Sequence, residues 1–371
     1  MENNKLQLLE PRIAIFGITK HGVGIAKRLK AGFPEADLFM PRKFEHEALP
    51  DTILYDKLLS KVIGEIFHSY DSIIFVISLG AVIRMIAPYM KDKHVDPAVV
   101  VVDDAAKFAI SVLSGHIGGA NEFTDRVAKI LGAVSVITTA SDVGKTIPVD
   151  ILGRELGWTL EGEENVTAVS AHVVNEEPVA FIQETGEKTW WTRDVPLPKS
   201  IRVLSSLAEI EDRSVYKAFL MVTDRILREE ADGIRDRMIL YRPRSLVVGL
   251  GCNRGTSSGE ILEAVKMTFE KHGLALASIR NFATTQLKED EAGFLELARM
   301  LDRRFAHYSK EELSSFASLP NPSEIVKKYV GSPGVAEPAA MLSAGVTELI
   351  VPKQKFTNVT VAVARCVFSI A

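Results

Sequence analysis

Between Ser78 and Asp142 the chain gathers the side chains best suited to chemistry. Ser114-Gly115-His116-Ile117-Gly118-Gly119-Ala120-Asn121-Glu122 joins an apolar run to a helical pattern. Its glycines let backbone N–H groups approach a ligand closely. The imidazole of His116 has the ordinary pKa nearest neutrality, which suits a general base or acid. Asp103 and Asp104 follow the apolar run Pro97–Val102 and so stand at the carboxyl end of a strand. Arg84, Lys91, Lys93, His94 and Lys107 form a local cationic group. Ligands of open α/β sheets bind at the carboxyl ends of strands, where these three features are expected to converge. Each also has a plainer reading: His116 as a hydrogen bonder within its turn, the aspartates as helix caps, the lysines as a solvated face.

Two glycine loops offer backbone amides to anions. Gly17-Ile-Thr-Lys-His-Gly22-Val-Gly24 follows a strand and opens a helix. It is either an anion loop or a tight turn. It lacks the Lys-Ser/Thr pair of a phosphate-binding P-loop, and Lys27 occupies the third glycine position of GxGxxG. Gly249-Leu-Gly251-Cys252-Asn253-Arg254-Gly255-Thr256-Ser257 has the same setting with a cation added at Arg254. A ligand loop and a structural turn both fit it. Cys252, with no His nearby in sequence, reads as a packed residue rather than a nucleophile.

The elements that must position these groups follow an α/β pattern. Val- and Ile-rich runs at Arg12–Phe16, Asp71–Ile77, Pro97–Val102, Phe108–Leu113 and Val134–Thr138 read as strands, covered on both faces as in a parallel sheet. Helical spacing spans Gly22–Ala31, Leu58–Phe67 and Asn121–Leu131. The expected organisation is a multi-domain α/β protein. An α/β N-terminal domain covers 1–142, a smaller mixed middle domain 143–243, and an α/β C-terminal domain 244–371. The middle segment is expected to hold helices at Ile147–Leu156 and Glu164–Val174 and strands at Pro178–Ile182 and Lys217–Val222. Pro243 punctuates the chain before the strand Ser245–Leu250. Further on, the patterns predict a helix over Gly259–Lys271, a strand over Leu276–Arg280 and a helix over Glu291–Arg303. A short helix over Glu337–Ser343 and strands over Glu348–Val351 and Val359–Ala364 follow.

The 371 residues exceed what one core usually serves. Lys+Arg 44 against Asp+Glu 48 leaves a net charge of −4, which argues against a general nucleic-acid or anionic-membrane binder. The opening MENNKLQLLEPR has no apolar core behind a basic flank, so no signal peptide is expected. Ile73–Ile83 is broken by Arg84 and falls short of the about 18–20 residues of a membrane span. Cys252 and Cys366 form neither a metal motif nor a disulfide framework, and the His residues are scattered singly. A reduced, cytoplasmic protein without a structural metal site is expected.

The stretches GAVIRMIAP, KDK, DPAVVVVDD, LSGHIGGAN and ITTASD closely resemble the CbiG family of cobalamin biosynthesis, the cobalt-precorrin-5A hydrolases. VGLGCNRGTS, GVAEPAAMLSAG and LIVPKQKFTNVTVAVAR are similar to that family's C-terminal domain, so the likeness spans essentially the whole chain. Phe356-Thr357-Asn358 departs from it, relatives usually having smaller, glycine-rich residues there. The resemblance implies a substrate that is a ring-contracted cobalt-tetrapyrrole bearing a δ-lactone. Water opens the lactone and a two-carbon fragment leaves as acetaldehyde, giving cobalt-precorrin-5B. No cofactor is implied beyond the cobalt that the substrate carries. The partner expected is that substrate, with neighbouring pathway enzymes or a second copy of the chain as further candidates.

A flat ligand rimmed by acetates and propionates needs apolar walls, local cations and backbone amides. Within the resemblance, His116 is the expected general base, and Asp104 or Asp103 its orienting or proton-donating partner. Amides around Gly115–Gly119 form an oxyanion hole. Arg84, Lys91 and Arg254 are the expected carboxylate binders. Ser114, Gly115, Gly118, Gly119 and Asn121 complete the substrate contacts in the first block, and Gly251 and Glu337 supply those in the C-terminal domain. Two other classes remain: a non-catalytic corrinoid carrier, which would release no acetaldehyde, and a nucleotide-dependent enzyme built on the first glycine loop.

Overall fold

Strands flanked by helices on both faces need apolar side chains along their length, and the strands over Ile13–Gly17 and Ala98–Val102 are buried from end to end. A computed structural model describes residues 11–315 and 334–368; the opening Met1–Glu10, read above for a leader, lies outside them. The chain divides into two compact units, 1–148 and 149–371.

In the first unit the elements run β1 (Ile13–Gly17), α1 (Lys20–Gly32), β2 (Asp37–Pro41), β3 (Ile53–Tyr55), α2 (Leu59–Ile66), β4 (Ser72–Val76) and α3 (Leu79–Ile86). They continue with β5 (Ala98–Val102), β6 (Phe108–Leu113), α4 (Ala120–Leu131), β7 (Val134–Val136) and α5 (Ala140–Val143). One seven-stranded sheet has the order β3-β2-β1-β4-β5-β6-β7. Every residue of β1 and of β5 is buried. Phe16 stacks between Phe39 and Phe75 with ring centroids 4.7 and 5.1 Å away, fixing three neighbouring strands in register.

The pairings are parallel except for β5 with β6, which is antiparallel. β5 and β6 are joined by a tight turn in which both carboxylate oxygens of Asp103 accept backbone N–H groups, from Ala105 at 3.1 Å and Phe108 at 2.6 Å. β7 then pairs parallel with β6. The carboxyl ends of β6 and β7 therefore share the edge of the sheet where β5 begins.

The second unit holds two five-stranded sheets. The first contains β8 (Thr159–Glu161), β9 (Val179–Gln183), β10 (Ile201–Leu204), β11 (Ala218–Val222) and β12 (Met238–Arg242), with α6 (Val166–Val174) packed on it, in the order β10-β9-β11-β12-β8. The other is built from β13 (Leu246–Cys252), α7 (Ser258–Lys271), β14 (Ile279–Thr285), α8 (Ala292–Leu301), β15 (Arg304–Tyr308), α9 (Lys310–Leu313), α10 (Ala336–Ala344), β16 (Val351–Lys355) and β17 (Val359–Arg365). Its order is β15-β14-β13-β17-β16, with β17 antiparallel to both neighbours. α10 lies directly on β13: a Cβ on Gly249 would stand 1.8 Å from the carbonyl oxygen of Ala336.

Several elements differ from expectation. Ile147–Leu156 forms a series of turns instead of a helix. Gly153 and Gly157 adopt positive φ there, and Trp158 folds back over Gly153 so closely that a Cβ would meet its ring at 2.1 Å. The strand expected at Leu276–Arg280 begins at Ile279 and runs on to Thr285, and the one expected at Glu348–Val351 begins at Val351.

The two sheets of the second unit are tied by one buried carboxylate. Asp224, 1% exposed, accepts Arg365 Nε and Nη2 at 2.7 and 2.8 Å and Ser245 Oγ at 2.7 Å. Removing one partner of such a pair leaves the other uncompensated. Asp224→Ala is expected to lower the stability of this unit by about 3 kcal/mol, measured by urea unfolding, while Asp224→Asn loses less.

Candidate active site

The Ser114–Gly119 turn follows β6, and its shape is set by close backbone contacts. Ser114 takes a positive φ of 57°, and its hydroxyl donates to the carbonyl of Asp96 at 2.9 Å. A Cβ on Gly118 would lie 2.5 Å from that of Ser114, and one on Gly115 would lie 2.8 Å from Asn121 Oδ1. Gly119 enters α4 at φ 78°. The amides of Gly119, Ala120 and Asn121 are spent within the turn, on the carbonyls of His116, Ser114 and Gly115. The amides of Gly115 and Gly118 are not among those spent in this way and stay candidates for an oxyanion.

His116 finds its acid partner in Asp142. Its Nε2 lies 3.1 Å from Asp142 Oδ2 and 3.2 Å from Ser141 Oγ, and its side chain is 11% exposed. Asn121 fixes the carboxylate: Nδ2 donates to Asp142 Oδ2 at 2.7 Å and to Thr139 Oγ1 at 2.9 Å, while Oδ1 accepts from Ser111 Oγ at 2.7 Å. A carboxylate against Nε2 calls for a proton on that nitrogen, which leaves the lone pair on Nδ1. Ser141 and Asp142 meet the same nitrogen. Ser141 is therefore not activated as the nucleophile of a Ser-His-Asp relay, which needs the two partners on opposite ring nitrogens.

The expectation that Asp103 or Asp104 orients His116 is corrected. Both stand at the carboxyl end of β5, whereas the antiparallel β6 carries His116 back to the edge where β5 starts. Asp103 is the turn residue described above. Asp104 accepts a short hydrogen bond from Thr19 Oγ1 and lies 3.3 Å from His21 Nδ1. It places a carboxylate beside the first glycine loop, where Thr19 also caps α1 by accepting from Gly22 N at 2.9 Å. A loop that already faces a carboxylate is a poor phosphate cradle, so it reads as a tight turn.

The cationic group divides. The Lys91–Asp96 segment adjoins the His116 turn through the Ser114–Asp96 bond, and Asp96 braces it by accepting Lys91 N with both oxygens at 3.0 and 2.9 Å. The Lys91 and Lys93 side chains are exposed there. Arg84 is exposed on α3, its Nη1 donating to Gly80 O at 3.0 Å. Lys107 lies at the other edge, beside the β5–β6 turn.

In the second unit, the carboxyl ends of β13 and β14 border a cavity of about 240 Å³ that includes Gly251, Thr285, Lys288, Lys353 and Lys355. The lysines are its cations, and the sequence reading passed over them. Arg254 is already engaged, Nη1 with Asp290 at 2.6 Å and Nη2 with Leu287 O at 2.8 Å. Glu337, 2% exposed, braces the wall by accepting Lys353 N at 3.0 Å. Burial lowers the Lys353 ammonium below its usual pKa, against the attraction of Glu337. Burial also raises the Cys252 thiol, consistent with a packed residue and not a nucleophile. Phe356 and Thr357 line the same cavity.

Among the described residues no three His, Cys, Asp or Glu side chains come together as a metal-ion cage, and no helix is long and apolar enough to cross a membrane.

Asn121, 8% exposed, holds three polar partners at once. Asn121→Ala strips Asp142 of its amide donor and is expected to cost about 2 kcal/mol in urea unfolding of the first unit. Asn121→Asp, which sets a second carboxylate beside Asp142, is expected to cost more at neutral pH than at pH 4.

Sequence comparison agrees with this architecture. Family profiles described as cobalamin synthesis G N-terminal, cobalamin biosynthesis central region and cobalamin synthesis G C-terminus match residues 61–142, 147–243 and 246–364. The chain is 48% identical to a cobalt-precorrin-5A hydrolase of Priestia megaterium, over 95% of this chain and 94% of that one. It is 30% identical to a cobalt-precorrin-5A hydrolase of Salmonella typhimurium, over 89% and 91% of the two chains. A crystal structure of a putative cobalamin biosynthesis protein G homolog from Sulfolobus solfataricus is 23% identical, covering 95% of this chain and 96% of that one at a TM-score of 0.35.

Proposed function

The chain belongs to the cobalamin synthesis G family, whose curated relatives are cobalt-precorrin-5A hydrolases, and from that premise we propose that it opens the substrate's lactone with His116 as general base. The observation that carries this reading is the Asp142–His116 contact at 3.1 Å, held by Asn121 inside a glycine-flanked turn. The cobalt arrives as part of the substrate, and the chain's own residues do the acid–base work.

His116 Nδ1 takes a proton from a water molecule as its oxygen attacks the lactone carbonyl carbon. The imidazolium so formed is stabilised by Asp142, which also keeps the ring in the required tautomer. The amides of Gly115 and Gly118 receive the developing oxyanion. Collapse of the tetrahedral intermediate breaks the ring C–O bond, and the imidazolium returns its proton to the departing alkoxide. The freed hydroxyl-bearing two-carbon fragment then gives its hydroxyl proton back to His116 Nδ1 and leaves as acetaldehyde by a retro-aldol cleavage, with the electron pair of the breaking C–C bond taken up by the electron-poor macrocycle. Lys91 and Lys93, exposed beside the turn, and Arg84 on α3 are cations for the carboxylate rim.

His116→Ala is expected to reduce acetaldehyde release by roughly 10²–10⁴-fold with the fold retained, as checked by a melting curve. Asp142→Asn should fall by a smaller factor, and Asp104→Ala should leave turnover per folded molecule unchanged. The wild-type rate should rise with pH as the general base is deprotonated, and that limb should vanish in His116→Ala. Full activity in His116→Ala would end the assignment. A carrier that only binds corrinoids would release no acetaldehyde from the wild type.

A further inference from the structure

A second cavity in the 149–371 unit, of about 690 Å³, lies at the opposite end of the C-terminal sheet from the lysine-lined one. Arg280 is the second residue of β14, Arg304 the first of β15, and Arg244 stands two residues before β13. The parallel register that sets Asn281 against Arg304, and Leu246 against Ile279, brings all three guanidinium groups to one sheet edge. β13 is seven residues long, so roughly 20 Å of strand separates this edge from the lysine-lined cavity.

The arginines are not there to neutralise carboxylates. Among the described residues none of the three forms an ion pair, and Arg280 Nη1 donates only to Cys366 Sγ at 3.1 Å. Glu187, the acidic residue among the described lining, already accepts Trp158 Nε1 at 2.6 Å. Arg303 sits close enough that Arg244 adds to burial in lowering its guanidinium below the usual value. Three like charges gathered at one edge with a single carboxylate among them, in a chain of net charge −4, mark a place for an external anion. The floor between them is apolar, with Leu156, Phe305 and Phe368, and Val367 is 78% exposed at its margin. Planar guanidinium groups around an apolar floor match a ligand with an apolar face and several carboxylates on its rim.

We propose that the Arg244–Arg280–Arg304 cavity is a docking site for the carboxylate-rimmed corrinoid macrocycle, additional to the His116 site. This rests on the substrate class proposed above, and on nothing in the catalytic assignment.

The test titrates the full chain with a cobalt corrin bearing free acetate and propionate carboxylates. The fully amidated corrin and pyrophosphate serve as comparison ligands. Arg280→Gln/Arg304→Gln is expected to weaken one bound equivalent of the carboxylated corrin about tenfold or more, the scale of one lost charge-assisted contact. Added salt should weaken the same equivalent, and the amidated corrin should not fill it. Arg244→Gln, outside the strands, provides the same readout if the double variant fails to fold. Unchanged corrin binding in the variants overturns the proposal, as does pyrophosphate displacing the corrin at equal concentration. Acetaldehyde release by His116→Ala is scored separately. Activity surviving there would sink the catalytic reading alone, whereas arginine-independent binding would sink this one alone.

Discussion

The direction of β6 is the constraint on which the proposed active site depends. A strand continuing the parallel run would have delivered the glycine-rich turn to the edge where Asp103 and Asp104 stand. The Asp103 turn instead reverses the chain after β5, so β6 returns and releases Ser114–Gly119 at the other edge. Because β7 runs parallel to β6, its own carboxyl end arrives beside that turn and brings Thr139, Ser141 and Asp142 with it. The proposed site thus lies at the carboxyl ends of the β6–β7 pair, although that pair points against the rest of the sheet.

Around this reversal, the polar groups form a closed set and not a collection of independent side chains. Ser111 on β6, Asn121 on α4, and Thr139 and Asp142 after β7 are linked through one amide side chain. Each element contributes one or two members, so the carboxylate's position is determined by strand pairing and by helix packing together. A network of this kind is stabilising only when every member is satisfied. That condition explains why the turn tolerates a serine at positive φ and glycines pressed against neighbouring atoms.

Much of this organisation was legible in the residues. The Val- and Ile-rich runs of β4, β5 and β13 are apolar over most of their length because they are interior strands, and the glycine-flanked histidine stands out by type alone. What was not legible follows from tertiary pairing. Asp142 lies 26 residues beyond His116, across a helix and a strand, and nothing local links them. Asp103 and Asp104 look suitable only while the neighbouring strand reads as one more parallel member. β2 ends in Pro41 and β3 is three residues long, so neither carries a strong pattern. Lys353 and Lys355 alternate on a strand of mostly polar residues, which reads as solvent-facing until the cavity beside them is seen. The arginines at 244, 280 and 304 are far apart in sequence and meet only through sheet register.

The contact between Gly249 and Ala336 has a consequence for the lysine-lined cavity. With no side chain between them, strand and helix rest backbone on backbone, and α10 cannot settle closer or be held further away without losing the contact. The stretch Gly334–Ala336 that borders the cavity is thereby gauged against β13, whereas the wall across from it is formed by the loop after β16. The width of that opening is thus set from one side only: the helical wall is a fixed stop, and any change of width falls to the residues at 356–358.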